Sequence, residues 1–212
     1  MHIVTINDHK IAIFWSPKTG HSTMLKILQY NFIPNTNNGW ETHSQNIPND
    51  ISDFIFILLY RNPIERLVSS FFMPQVSNDL SFEDFVLNFK NFQNHHQCPQ
   101  TESGYGLNIF KKYNKKFDYM INTKNLNELP VLIEKLTGKI IQKNIRENTI
   151  KRISEEEIQN IDYYNIKKSV FNEKKIGIPN WEKFYNEKLK IISKNMLKND
   201  YDFFESIDIK FN

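Results

Sequence analysis

Residues 11–28 read I-A-I-F-W-S-P-K-T-G-H-S-T-M-L-K-I-L. The apolar run Ile11–Trp15 stops at Ser16-Pro17, and apolar residues return at helical spacing as Met24, Leu25 and Leu28. This order predicts a strand, a tight turn and a helix, with Lys18, Gly20, Ser22 and Thr23 at the turn. Such a turn directs backbone N–H groups, hydroxyls and one ammonium toward a single spot at the positive end of a helix dipole. That combination suits a phosphate or a sulfate group.

Working outward, His2–Ile6 reads as a first strand joined to Ile11–Trp15 through Asn7-Asp8, a hairpin signal. Phe54–Tyr60 (F-I-F-I-L-L-Y) is a continuous apolar run with β-branched and aromatic members, as expected of a strand buried on both faces of a parallel sheet. Arg61-Asn62-Pro63 ends it. Asn62 suits an N-cap and Pro63 the first helical position, and the helix that follows carries Leu67 and Phe71 on one face. Ser81 caps a further helix bearing Phe82, Phe85, Val86 and Phe89. Residues 34–50 and 91–106 read as polar loops, and Tyr119–Ile121 as a short strand. Asn127–Pro130 opens a helix with the apolar face Val131, Leu132 and Leu136, ended by Gly138. Ser154–Glu157 forms a capping box for a helix to about Lys168. Trp181, Phe184, Tyr185, Leu189, Ile192 and Met196 mark one face of a last helix. No repeat or linker interrupts the series, so one domain over residues 1–212 is expected. Strands alternating with helices predict an α/β fold with a central, largely parallel sheet flanked by helices.

The bulk composition agrees with a packed core: 212 residues, 40% hydrophobic, with 17 Phe and 9 Tyr. A net charge of +3 is too mild to argue for a nucleic-acid partner and is compatible with an anionic ligand. The single cysteine, Cys98, leaves no internal disulfide, which points to a reducing compartment. No apolar run nears the ~18–20 residues of a membrane span, and the N-terminal stretch lacks a signal-peptide pattern. The expectation is a soluble cytoplasmic protein without stable membrane insertion.

The turn differs from the nucleotide-binding G-x-x-x-x-G-K-[ST] pattern: its lysine comes before the glycine, and the hydroxyl pair comes last. S-P-K-T-G-H-S-T (16–23) resembles the 5′-phosphosulfate loop of sulfotransferases that use 3′-phosphoadenosine 5′-phosphosulfate. The resemblance implies that Pro17, Lys18, Thr19, Gly20, His21, Ser22 and Thr23 surround the sulfate-bearing end of the donor. His21 stands where the family usually has a small residue. L-L-Y-R-N-P-I-E-R-L-V-S-S-F-F (58–72) looks like the family's 3′-phosphate motif, with Arg61 and Ser69 in the clamping positions. A guanidinium offers phosphate a planar bidentate grip, which fits that role. The implied fold is a P-loop-like three-layer α/β fold with both phosphates along the C-terminal edge of the sheet. H-Q-C-P-Q (96–100) is similar to the H-W-x-P-Q segment of the carbohydrate sulfotransferase branch, with Gln97 in place of tryptophan. Residues 117–126 and 198–204 also look like that branch.

By this resemblance Lys18 and the loop N–H groups stabilise charge on the departing phosphate, while Arg61 and Ser69 hold the 3′-phosphate. The acceptor proton needs a base. His96 and His95 are candidates because imidazole titrates near neutrality. Glu41 is their rival, as some heparan-type sulfotransferases place a glutamate at a similar distance after the loop lysine, and His43 is a more remote alternative. Arg66 is expected to be a solvated or ion-paired helix residue. Lys174 and Lys175 faintly resemble the basic segment that closes over the 3′-phosphate, although a solvated pair is the ordinary reading. The product would be adenosine 3′,5′-bisphosphate and the acceptor a hydroxyl of a glycan, glycolipid or small metabolite. No metal is implied. Two alternatives stay open: a small-molecule or nucleotide kinase with an atypical phosphate loop, and a catalytically degenerate nucleotide- or glycan-binding protein.

Overall fold

Every residue of Ile11–Trp15 is buried, because strands flank it on both sides and helices cover the sheet. The computed structural model describes residues 1–32, 47–92, 98–141, 162–173 and 178–211. Within them β1 (His2–Ile6), β2 (Ile11–Trp15), β3 (Ile55–Tyr60) and β4 (Tyr119–Asn122) form one sheet in the order β1-β2-β3-β4. β1 runs antiparallel to β2, with Ile6 opposite Ile11, whereas β3 lies parallel to both β2 and β4. The described helices are α1 (His21–Asn31), α2 (Pro63–Phe71), α3 (Phe82–Leu87), α4 (Gly106–Tyr113), α5 (Glu128–Thr137), α6 (Lys168–Glu173), α7 (Glu187–Met196) and α8 (Lys198–Ser206). The α/β class and the largely parallel sheet are as the sequence predicts. None of the described helices is long and apolar enough to cross a membrane.

The chain divides into two compact units, Met1–Arg61 with Gln100–Asn148 and Asn62–Pro99 with Thr149–Asn212. The first holds the sheet. Alternation along the strands sends Ile11, Ile13, Trp15, Ile57, Leu59 and Ile121 to one face, against Met24, Ile27 and Leu28 of α1 and Leu129 and Ile133 of α5. The opposite face presents Phe14 and Phe56 to Phe110 of α4 and to Phe117, and the last two rings stack at 4.3 Å. Helices therefore cover both faces of the sheet. Each ring fully removed from water contributes about 2 kcal/mol.

The described residues of the second unit are mostly helical. Its core joins Ile64, Leu67 and Phe71 of α2, Phe82 and Phe85 of α3, Phe184, and Leu189 of α7. Phe71 meets Phe82 edge-on at 5.6 Å, as does Phe82 with Phe184. Local chemistry sets the helix starts. Asn62 accepts from the Ile64 N–H ahead of Pro63, and Ser81 with Asp84 forms a reciprocal capping box.

Several local expectations are corrected. The polar stretch 91–106 contains a 3₁₀ turn at Gln100–Glu102, and its end opens α4, whose Phe110 inserts under the sheet. On α5 the buried residues are Leu129, Pro130 and Ile133, while Val131 is exposed. The helix expected to reach about Lys168 is not continuous over its described end, where Tyr163–Asn165 form a 3₁₀ turn and α6 begins at Lys168. The last helix is broken: a 3₁₀ turn at Trp181–Phe184 ends in extended Tyr185, and Asn186 recaps the chain by accepting from Leu189 N–H. Tyr185 is diverted because its hydroxyl donates to the Ile64 carbonyl at 2.9 Å. Arg66 is not solvated. It is 1% exposed and donates to the Cys98 carbonyl at 2.8 Å.

Candidate functional site

The turn that follows β2 is built on Ser16. Thr19 N–H donates to the Ser16 carbonyl at 3.1 Å, closing a four-residue turn with Pro17 and Lys18 at its centre. Pro17 supplies the fixed φ wanted at the first central position, and Lys18 takes φ 71°, the left-handed value that the second central position of a type II turn demands. Glycine or asparagine usually fills that place, and a lysine there costs about 1–3 kcal/mol of backbone strain. Thr19 holds the strained turn from inside. It is fully buried, its hydroxyl donates to the Ser16 carbonyl at 2.6 Å and accepts from Ser16 N–H at 3.0 Å.

Gly20 follows with φ 80° as the N-cap of α1, and it supplies no side-chain cap to the first turn. A Cβ on Gly20 would sit 2.5 Å from Leu126 Cδ2 and push that side chain aside, and the positive φ favours glycine whatever the space. His21, Ser22 and Thr23 form the first turn of α1, the end at which a helix directs its N–H groups outward along its axis. Ser22 and Thr23 are half-buried. His21 is buried and stacks on Trp15 with ring centroids 4.1 Å apart, while His2 stacks on the same indole at 4.6 Å. His21 thus belongs to the packing beneath the turn, which accounts for a large ring where a small residue was expected.

Arg61 follows β3, the parallel neighbour of β2. Its Nη1 donates to the Lys18 carbonyl at 3.3 Å. Its backbone is held by Gln100: Gln100 Nε2 donates to the Arg61 carbonyl at 2.9 Å, and Arg61 N–H donates to Gln100 Oε1 at 3.4 Å. Ser16 Oγ donates to the same Oε1 at 3.5 Å. Gln100 is 2% exposed and anchored in turn by Ser103 Oγ, which donates to its carbonyl at 3.0 Å. Sequence reasoning includes Gln100 only as part of a motif. Its role is invisible there, because the three groups it bonds lie far away in the chain.

The structure thus gathers Lys18, Gly20, His21, Ser22, Thr23 and Arg61 around the C-terminal ends of two adjacent parallel strands in the first unit. Two cationic side chains and a helix N-terminus at such an edge suit an anionic group. Pro17 and Thr19 are buried supports of the turn. Ser69 lies on α2 in the second unit, half-buried, beside Ser70, whose hydroxyl donates to the Arg66 carbonyl at 3.1 Å. The candidate bases Glu41, His43, His95 and His96, and also Lys174 and Lys175, lie outside the described residues.

No family model, no curated protein and no solved structure matches the chain.

Proposed function

We propose that this protein is a sulfotransferase that moves a sulfuryl group from 3′-phosphoadenosine 5′-phosphosulfate to a hydroxyl, on a carbohydrate or a small metabolite. The fold is then a P-loop-like variant of the α/β class, with the phosphosulfate at the β2–α1 turn. The observation that carries the reading is the strained Lys18, held in a left-handed conformation at the start of α1 with its carbonyl accepting from Arg61. Strain of this kind persists where the surroundings over-determine it and concentrates at ligand sites. The resemblance of residues 16–23 and 58–72 to the two donor-binding motifs supplies the ligand's identity.

In this mechanism the acceptor oxygen attacks sulfur in line with the departing phosphate. The new S–O bond forms as the bond to the bridging oxygen breaks, and the electron pair stays on that oxygen as part of adenosine 3′,5′-bisphosphate. Lys18 and the N–H groups of the first turn of α1 stabilise the charge that builds there. The acceptor's proton passes to a base drawn from His96, His95 and Glu41. By analogy with phosphoryl transfer the transition state is loose, so positioning and charge stabilisation dominate. Arg61 holds the 3′-phosphate, and Ser69 is assigned with it from the motif alone.

Transfer of labelled sulfate from the donor to a panel of sugars and small alcohols tests the proposal. Lys18→Ala is expected to abolish transfer in a protein that still folds, and undiminished transfer by that variant would sink the assignment. Thermal shifts separate the kinase reading: adenosine 3′,5′-bisphosphate stabilises a sulfotransferase, whereas ATP with magnesium stabilises a kinase. Donor binding with no product from any acceptor would favour a degenerate binding protein.

A further inference from the structure

We infer that Gln100 is a positioning residue of the nucleotide site: it fixes Arg61 beside the β2–α1 turn and thereby sets the preference for a nucleotide that carries a 3′-phosphate. The inference rests on the sulfotransferase reading for the identity of the ligand, and on hydrogen bonds alone for the role of Gln100.

The geometry is that of a side chain imitating a strand. β3 ends at Tyr60, and Arg61 lies one residue past it. There the carboxamide of Gln100 takes over the work of a neighbouring backbone, accepting from Arg61 N–H at 3.4 Å and donating to Arg61 C=O at 2.9 Å. A planar amide is the side chain that offers a donor and an acceptor in this arrangement. The same Oε1 accepts from Ser16 Oγ at 3.5 Å, and Ser16 is the residue on which the turn closes. One buried side chain therefore fastens the residue after β3 to the residue after β2.

Arg61 is thus held at both ends, through its backbone by Gln100 and through Nη1 by the Lys18 carbonyl at 3.3 Å. A long, rotamer-rich side chain fastened in this way loses less freedom when it meets a phosphate, which is the benefit of preorganisation. Both ends of the Gln100 carboxamide are engaged with protein groups, so it acts on the ligand through Arg61. Replacing it should weaken recognition of the phosphate that Arg61 holds and leave the 5′ end of the nucleotide, held by the turn, nearly unaffected.

The test is isothermal titration of the full chain and its Gln100→Ala and Gln100→Glu variants with adenosine 3′,5′-bisphosphate and adenosine 5′-phosphate. The expected result for Gln100→Ala is a loss of about tenfold in the ratio of the two affinities. Gln100→Glu keeps an acceptor for Arg61 N–H but sets a carboxylate oxygen against Arg61 C=O. Its ratio should fall at pH 8 and recover toward the wild-type ratio at pH 5.5, where a protonated carboxyl donates as the amide does. That pH-dependent rescue distinguishes positioning from general loosening and remains readable if Gln100→Ala fails to fold. Wild-type ratios in both variants would overturn the inference. If the unmodified protein binds the two nucleotides equally, the sulfotransferase reading fails, and amide hydrogen exchange then decides the role of Gln100. Gln100→Ala, or the near-isosteric Gln100→Met if that variant fails to fold, removes the acceptor and should speed exchange at Arg61 N–H by about tenfold while β1–β2 amides keep their rates. An unchanged Arg61 rate would overturn it.

Discussion

The Arg61 guanidinium donates to the Lys18 carbonyl at 3.3 Å, so two residues chosen from separate sequence motifs meet at the ends of adjacent parallel strands. A guanidinium grips phosphate through a planar fork, and an ammonium of equal charge does not reproduce that fork. Under the proposed function, Arg61→Lys and Arg61→Ala should both weaken adenosine 3′,5′-bisphosphate far more than adenosine 5′-phosphate, by about tenfold or more in the ratio. Calorimetric titration of the two nucleotides provides the check. Equal losses for both would mean that Arg61 does not read the 3′-phosphate.

Lys18 should show stability and function pulling in opposite directions. At φ 71° a lysine carries strain that glycine does not. Lys18→Gly is expected to raise stability by about 1 kcal/mol, equivalent to about 2–4 °C in Tm, while transfer of labelled sulfate is lost with the ammonium. Lys18→Ala loses transfer without that gain. Differential scanning calorimetry reads the first effect, and a fall in the Tm of Lys18→Gly would show that the turn is not strained.

Gly20 carries two separable constraints. Gly20→Ala meets Leu126 Cδ2 at 2.5 Å and also places a side chain at φ 80°. The expected cost is about 2–4 kcal/mol in urea unfolding. Adding Leu126→Ala should relieve the overlap and leave the backbone penalty, so the double variant should fall short of the sum of the two single costs by about 1 kcal/mol. Simple additivity would locate the whole cost in the backbone.

What the sequence makes legible here is local. Asn62-Pro63 and Ser81 with Asp84 mark helix starts through chemistry contained in a few residues, and both motifs behave as their residue types require. The break at Tyr185-Asn186 is also locally coded, by an asparagine three residues ahead of Leu189, but the apolar period running through it hides the signal. Val131 shows the limit of periodicity, since an apolar residue on a helix need not face the core. Gln100 lies beyond any local pattern. Its meaning resides in bonds to Ser16 and Arg61, and only the fold brings these together. His21 falls between the two cases. Its partner Trp15 is near in sequence, yet the turn between them decides that the two rings stack.

Lys168 gives the pH dependence. It is 3% exposed, and its Nζ donates to the carbonyls of Met73 at 2.5 Å and Val76 at 2.6 Å in the second unit. Burial lowers its pKa from the ordinary value of 10.5 by penalising the charged form. Below the native pKa both folded and unfolded chains carry the proton and the full desolvation penalty applies. Between the native pKa and the unfolded value, the unfolded chain binds more protons, so this lysine's contribution to stability rises with pH. Above 10.5 both states are neutral and the gain is complete. Lys168→Met removes the titration and takes the ammonium from the Val76 carbonyl, while the Met73 carbonyl keeps the Val76 N–H at 3.0 Å, at a cost of about 1–3 kcal/mol near neutrality. The stability difference between wild type and Lys168→Met should therefore widen in favour of wild type as pH climbs toward 10.5. Urea unfolding of both proteins over a pH series reads this difference directly and cancels the titration of every other group. A difference that stays flat or narrows over that range would mean that the ammonium's bonds to Met73 and Val76 fully offset its burial.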